Sequence, residues 1–283
     1  MNILIAIGIL GGLGLIFGLV LAAASKVFHV ETDPRLEQLT ECLPGANCGG
    51  CGYAGCGTYA EAVLNGAAPI GQCASGGNEC ALAMSQIMGV KAEEVVRKVA
   101  LVRCSGYRSV DPSSGKELGA KMKAEYEGFR DCLAASKVGG RGPLICKYGC
   151  LGFGSCTEVC KYDAIHIVDG VAKVDKEKCV GCMTCAKACP RNLIVPVEYD
   201  KHVLIACASE AKGAVTVRGC SQGCIGCGLC TKVCPEDAIH VENHLAVIDY
   251  SKCTSCGLCA QVCTKHLIYS QADDITEVVL PKK

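Results

Sequence analysis

The chain has 283 residues, half of them hydrophobic, and its 28 Lys and Arg balance 28 Asp and Glu. That size and apolar content suit two or so domains with cores of their own, while the neutral charge, few aromatics and absent tryptophan give nucleic acid nothing to bind. The 26 cysteines dominate: bunched two or three residues apart in a long chain, they have metal-ligand spacing rather than the pattern of a secreted disulfide scaffold, and thiolate sites need a reducing compartment.

Residues 1–28 come first. Ile3 to Ala24, ILIAIGILGGLGLIFGLVLAAA, is 22 residues without a charge, long enough as a helix to cross roughly 30 Å of hydrocarbon. It predicts a transmembrane anchor. Ala22-Ala23-Ala24 also looks like a signal-peptide cleavage site, but no Lys or Arg precedes the run and its length exceeds a signal core. Lys26 is the first cation after the span, which predicts a single-pass protein of the cell membrane with its cysteines on the cytoplasmic side. Gly8 and Gly12, then Gly14 and Gly18, have the small-xxx-small spacing of helices that pack closely in a membrane.

Residues 29–90 form a four-cysteine domain. LPGANCGGCGYAGC and GTYAEAVLNGAAPIGQC place Cys48, Cys51, Cys56 and Cys73 with gaps of two, four and sixteen residues. The interleaved glycines let the backbone wrap closely around a bulky cofactor. Tyr59 to Leu64 predicts a short helix stopped by Asn65-Gly66. Four cysteines could bind one zinc, but structural zinc sites usually present two separated pairs, and a triple within nine residues suits a cubane better. The spacing resembles the small 4Fe-4S domain shared by corrinoid iron-sulfur proteins and the B subunit of Rnf complexes.

Residues 91–145 say least. AEEVV predicts a helix running into a strand, KVALVRC, and Gly119 to Ala134 mixes charges as a solvated helix does. Lys116, Lys121, Lys123, Arg130, Lys137, Arg141 and Lys147 make the stretch modestly cationic. An ordinary charged surface is the simpler reading, a docking face for an acidic electron carrier the alternative.

From residue 146 the chain repeats. A gapless shift of 74 carries Cys146, Cys150, Cys156, Cys160, Cys179, Cys182, Cys185 and Cys189 onto Cys220, Cys224, Cys230, Cys234, Cys253, Cys256, Cys259 and Cys263. It also carries Asp163-Ala164-Ile165-His166 onto Asp237-Ala238-Ile239-His240. The units are 146–200 and 201–270, followed by a polar tail, 271–283. Between the cysteine runs AIHIVDGVAKVD, with Asp169-Gly170, and AIHVENHLAVID predict hairpins.

Each unit resembles a bacterial-type ferredoxin with two clusters, in which three cysteines of one run and the fourth of the other share a cluster. The resemblance implies that Cys224, Cys227, Cys230 and Cys263 hold one cluster, and Cys253, Cys256, Cys259 and Cys234 its neighbour. Pro190 and Pro235 keep the pattern's proline, whereas Lys161 and Thr264 depart from it. In the first unit Cys179, Cys182, Cys185 and Cys160 complete one set. The other has Cys150, Cys156 and Cys189, with Phe153 where Cys227 stands in the repeat. Three readings stay open. Cys146 supplies the fourth ligand, which is preferred; or the site holds a 3Fe-4S cluster; or Phe153 fills a dead site. The leftover Cys104, Cys132, Cys207 and Cys220 suggest one additional cluster, against the plain reading of cysteine as a small buried hydrophobe.

No GxGxxG after a strand, phosphate loop or nucleophile-base constellation is present, and His240 and His244 flank a predicted strand turn rather than sharing a helix face. An anchor, a four-cysteine domain and ferredoxin units in that order resemble the B subunit of the Rnf-type ion-translocating ferredoxin:NAD oxidoreductase. The expected fold is therefore α+β: an N-terminal transmembrane helix, a small 4Fe-4S domain and tandem two-cluster ferredoxin domains. The cysteine sets suggest about five 4Fe-4S clusters, and the absent motifs leave no substrate-converting site of the chain's own. The family implies reduced ferredoxin and the other membrane and NAD-binding subunits as partners. An iron-sulfur subunit of a membrane hydrogenase or formate dehydrogenase, and a cysteine-rich zinc or metal-storage protein, are the rival readings.

Overall fold

The computed structural model describes residues 2–27, 33–91, 95–110, 115 and 117–270, with side chains at the start of the chain described from Gly11 to Ala24. The expected polar tail, 271–283, and residues 92–94 of AEEVV lie outside the described residues. Helix α1 (Asn2–Val27) opens the chain. Its described side chains are exposed, save half-buried Ala24. Among the described residues no helix is long and apolar enough to cross a membrane. The expected N-terminal transmembrane helix is thus corrected.

The four-cysteine domain packs three helices, α2 (Pro34–Glu41), α3 (Cys56–Leu64) and α4 (Gly77–Met88). Asp33 caps α2 ahead of a proline in the first turn, its carboxylate accepting from the Arg35 N–H at 2.9 Å. Leu39, Tyr59, Ala60, Val63 and Met84 from the three helices form a fully enclosed core. Asn65 and Gly66 end α3, and Gly89, in the left-handed region, ends α4.

Each ferredoxin unit is two antiparallel strand pairs with short helices after its cysteine loops. Strand β1 (Lys98–Val102) comes before the first unit, and β2 (Ser109–Val110) with β3 (Glu117–Leu118) makes a small ladder beside it. Helix α5 (Cys132–Ser136) follows. The unit then runs α6 (Ser155–Glu158), β4 (Ile165–Val168), β5 (Val171–Val174), α7 (Thr184–Ala188) and β6 (Ile194–Glu198). The second repeats it after β7 (Val203–Ile205) and α8 (Gly213–Gly219), with α9 (Leu229–Lys232), β8 (Ile239–Glu242), β9 (Leu245–Ile248), α10 (Leu258–Gln261) and β10 (Ile268–Ser270).

The repeat extends to register. Ile165 faces Val174 in one hairpin and Ile239 faces Ile248 in the other, each 74 residues on. Both turns need positive φ at two central residues, supplied by Asp169-Gly170 and by Asn243-His244. The stretch before the first unit is more than a connector, because β1 lies antiparallel against β6 as β7 lies against β10. Residues 119–145 then pass between the units: Lys121 N–H donates to the Gly219 carbonyl at 2.9 Å, and Ala120 bridges to Cys220.

Candidate metal centres

In the four-cysteine domain, Asn47 Oδ1 accepts from the Cys56 N–H at 2.8 Å and so ties the cysteine loop to the start of α3. Ser75 Oγ lies 3.8 Å from the Cys48 sulfur and 3.5 Å from that of Cys73, while Cys51 and Cys56 pack on the same core. The four expected cysteines therefore converge. Cys80 lies close by but is a core thiol: burial pushes it up to about 12, with Cys73, Cys42 and Cys56 adding to the effect. Its S–H finds Met84 Sδ at 3.8 Å.

The ferredoxin sets converge too. Cys185 is pushed up to about 12 by burial and then by Cys179, Cys182 and Cys160 around it. Cys230 rises to about 11 for the same reasons, its neighbours being Cys224, Cys227 and Cys263. Cys234, Cys253, Cys256 and Cys259 line one cavity. Each fourth cysteine thus lies with the opposite run. Backbone amides are aimed at the sulfurs: Ala100 on Cys179 and Ala164 on Cys160 at 3.4 Å, Ala238 on Cys234 at 3.3 Å and Ser255 on Cys253 at 3.4 Å. Amide-to-sulfur bonds of this kind stabilise the negative charge of cluster thiolates. A tetrahedral zinc at about 2.3 Å would hold its sulfurs roughly 3.8 Å apart. Among the described residues no three His, Cys, Asp or Glu close around a single ion. Clustered thiols with several amides turned toward their sulfurs suit the negative charge of an iron-sulfur cluster.

The site with Phe153 departs from expectation. Cys132, Cys150, Cys156 and Cys189 line one cavity, and Cys156 is pushed up to about 12 by burial and then by Cys150, Cys132 and Cys189. The fourth thiol there is that of Cys132, whereas Cys146 lies in a different cavity with Cys104, Cys207 and Cys220. Cys132 is brought in by a clip. Ser155 Oγ donates to Asp131 Oδ2 and accepts from the Cys132 N–H, at 2.7 and 2.8 Å, and Asp131 caps α5 through the Ala134 N–H at 2.7 Å. Ser155 adjoins Cys156, so one residue fixes thiols from two segments. Ser155→Ala is expected to remove about 1–2 kcal/mol of local stability, seen as faster loss of iron from this site when the protein is warmed anaerobically. Phe153 itself packs beside Cys132 and Leu151 and tilts against Tyr126, ring centroids 5.1 Å apart.

The four-cysteine domain is seated on the first unit. Lys161 Nζ donates to the carbonyls of Ala46 and Asn47 at 2.8 and 3.0 Å, Thr184 Oγ1 to that of Cys48 at 3.2 Å, and Lys187 Nζ to that of Gly49 at 3.1 Å. Gly50 meets Cys182 so closely that a Cβ added there would lie 2.8 Å from its carbonyl oxygen. Lys161, which breaks the ferredoxin pattern by replacing proline, is thus a docking residue. Nothing in the structure explains Thr264.

Residues 43–75 match a family described as "Putative Fe-S cluster", and residues 178–238 and 223–267 match one described as "4Fe-4S dicluster domain". The chain is 47% identical over 251 residues to the B subunit of the Na(+)-translocating ferredoxin:NAD(+) oxidoreductase complex of Acetobacterium woodii, covering 88% of this chain and 72% of that protein. It is 42% identical over 241 residues to the B subunit of the proton-translocating ferredoxin:NAD(+) oxidoreductase complex of Clostridium ljungdahlii, covering 84% and 81%. To the B subunit of the ion-translocating oxidoreductase complex of Methanosarcina acetivorans it is 36% identical over 253 residues, covering 87% and 90%.

Proposed function

The chain belongs to the B-subunit family of ion-translocating ferredoxin:NAD(+) oxidoreductase complexes, and we propose that it is the electron relay of such a complex. In this reading it takes electrons from reduced ferredoxin and delivers them to the subunits that reduce NAD and move ions across the membrane, its cysteine sites facing the reducing, cytoplasmic side. The single observation that carries it is the file of convergent cysteine sets. The four-cysteine domain abuts Cys182 of the first unit, Cys185 acts on Cys156 of the adjacent set, and Lys121 of the intervening stretch bonds to Gly219 just before Cys220 of the second unit.

Five sets would each hold a 4Fe-4S cluster: Cys48, Cys51, Cys56 and Cys73; Cys160, Cys179, Cys182 and Cys185; Cys132, Cys150, Cys156 and Cys189; Cys224, Cys227, Cys230 and Cys263; Cys234, Cys253, Cys256 and Cys259. Such clusters, when bound, supply one-electron chemistry. The protein's part is to bury the thiols, aim amides at them and hold neighbouring sets together. Relatives named for sodium and for protons resemble the chain at 47% and 42%, so the coupling ion is a property to seek in other subunits. The full chain, loaded anaerobically, is expected to be brown and to bind at least about twenty irons with equal sulfide, at about four per cubane. A colourless, zinc-loaded protein would contradict the reading.

A further inference from the structure

We propose that Cys104, Cys146, Cys207 and Cys220 hold a further 4Fe-4S cluster at the junction of the two ferredoxin units, an inference that rests on reading those units as cluster carriers. All four line one small cavity. The cavities at Cys234, Cys253, Cys256 and Cys259 and at Cys132, Cys150, Cys156 and Cys189 are equally small, each about 20 Å³ like the junction cavity. The junction cavity is thus of the same size as two sites that repeat and resemblance pick out on their own.

Its cysteines are an equivalent pair from each unit. Cys104 lies two residues past β1 and Cys207 two residues past β7, the strands that flank β6 and β10. The residues before them make matching bonds, Arg103 N–H to the Leu193 carbonyl at 2.8 Å and Ala206 N–H to that of Leu267 at 2.9 Å. Cys146 and Cys220 are related by the 74-residue shift. An accidental cluster of small apolar residues has no reason to draw its members from matching positions of a repeat.

The surroundings suit thiolate sulfur. The Cys150 N–H donates to Cys104 Sγ at 3.4 Å, and the Cys224 and Ser209 N–H groups to Cys207 Sγ at 3.3 and 3.5 Å. These are the contacts found at the sets described above. Cations flank both sides at another repeated position: Arg191 donates to the carbonyls of Cys146 and Gly149, and Lys265 Nζ to that of Ser221 at 3.2 Å. Half-buried positive charge beside the thiols offsets the negative charge that an iron-thiolate cluster brings. Cys104, Cys207 and Cys220 are all under a tenth exposed, which keeps water from the site. Cys150 and Cys224 each turn their side chain to a set within their own unit and their N–H to the junction. The junction is therefore one residue from a site in either unit.

Iron and acid-labile sulfide are to be measured on the full chain, loaded anaerobically, as wild type and as Cys104→Ala/Cys207→Ala. The wild type is expected to hold about 24 irons and the double variant about four fewer, the content of one cubane. Loss of about four supports the site whatever the total, and no loss overturns it; a wild-type total well below twenty counts instead against the five-set reading. Should the double variant fail to fold, Cys220→Ala read by electron paramagnetic resonance decides the matter. A 3Fe-4S signal absent from the wild type supports the site, and an unchanged spectrum with unchanged iron overturns it.

Discussion

Cys132→Ala is expected to cost the first ferredoxin unit about one iron and to produce a 3Fe-4S signal by electron paramagnetic resonance, since one corner of a cubane loses its thiolate. The expectation follows from the cavity shared by Cys132, Cys150, Cys156 and Cys189 and from the clip through Ser155 that holds the start of α5 against it. Phe153 stands at the sequence position of the missing ligand and packs beside Cys132 and Tyr126 instead, closing the apolar side of the same region. A Cys132→Ala protein with unchanged iron and spectrum would show that Cys132 is no ligand.

Gly50→Val is expected to weaken the seating of the four-cysteine domain on the first unit. The contact is backbone to backbone, with Cys182 atoms 2.8 to 3.1 Å from any added Cβ, so no flexible side chain can yield. Overpacking costs about 1–3 kcal/mol, which shifts a docking equilibrium by roughly fivefold to a hundredfold. The four hydrogen bonds from Lys161, Thr184 and Lys187 are stretched with it. In preparations whose iron content matches the wild type, electron passage from the N-terminal domain to the ferredoxin units, followed by rapid mixing, is expected to slow by a factor within that range. An equal rate would mean that the domains do not exchange electrons through this contact.

Much of the fold and of the cysteine sets is legible in the sequence, for reasons of distance along the chain. Cys48, Cys51 and Cys56, and the triplets of each ferredoxin run, are set by spacing within a single loop, and a local pattern carries local geometry. The 74-residue repeat foretells the paired hairpins, because Asp169-Gly170 and Asn243-His244 supply the same turn. Sequence favours Cys146 where the structure places Cys132, for a physical reason. Which of them reaches Cys150 depends on the path of residues 119–145 between the units and on the Ser155 clip, neither of which leaves a periodic signal. KVALVRC reads as a strand, but nothing local says that it pairs with β6 nearly a hundred residues away. Lys161 reads only as a departure from the ferredoxin pattern, and only the fold shows its amine on the neighbouring domain. At the N-terminus, an uncharged run suggests a transmembrane helix that the described residues do not bear out.

Whether the cysteine sets form one relay open to ferredoxin is decided by mixing the anaerobically loaded full chain with reduced ferredoxin and following visible bleaching together with electron paramagnetic resonance. Ferredoxin is expected to bleach the chain to the extent reached with a small chemical reductant of similar potential, with spectra of magnetically interacting clusters. A chain that the small reductant bleaches and ferredoxin does not would be no such relay.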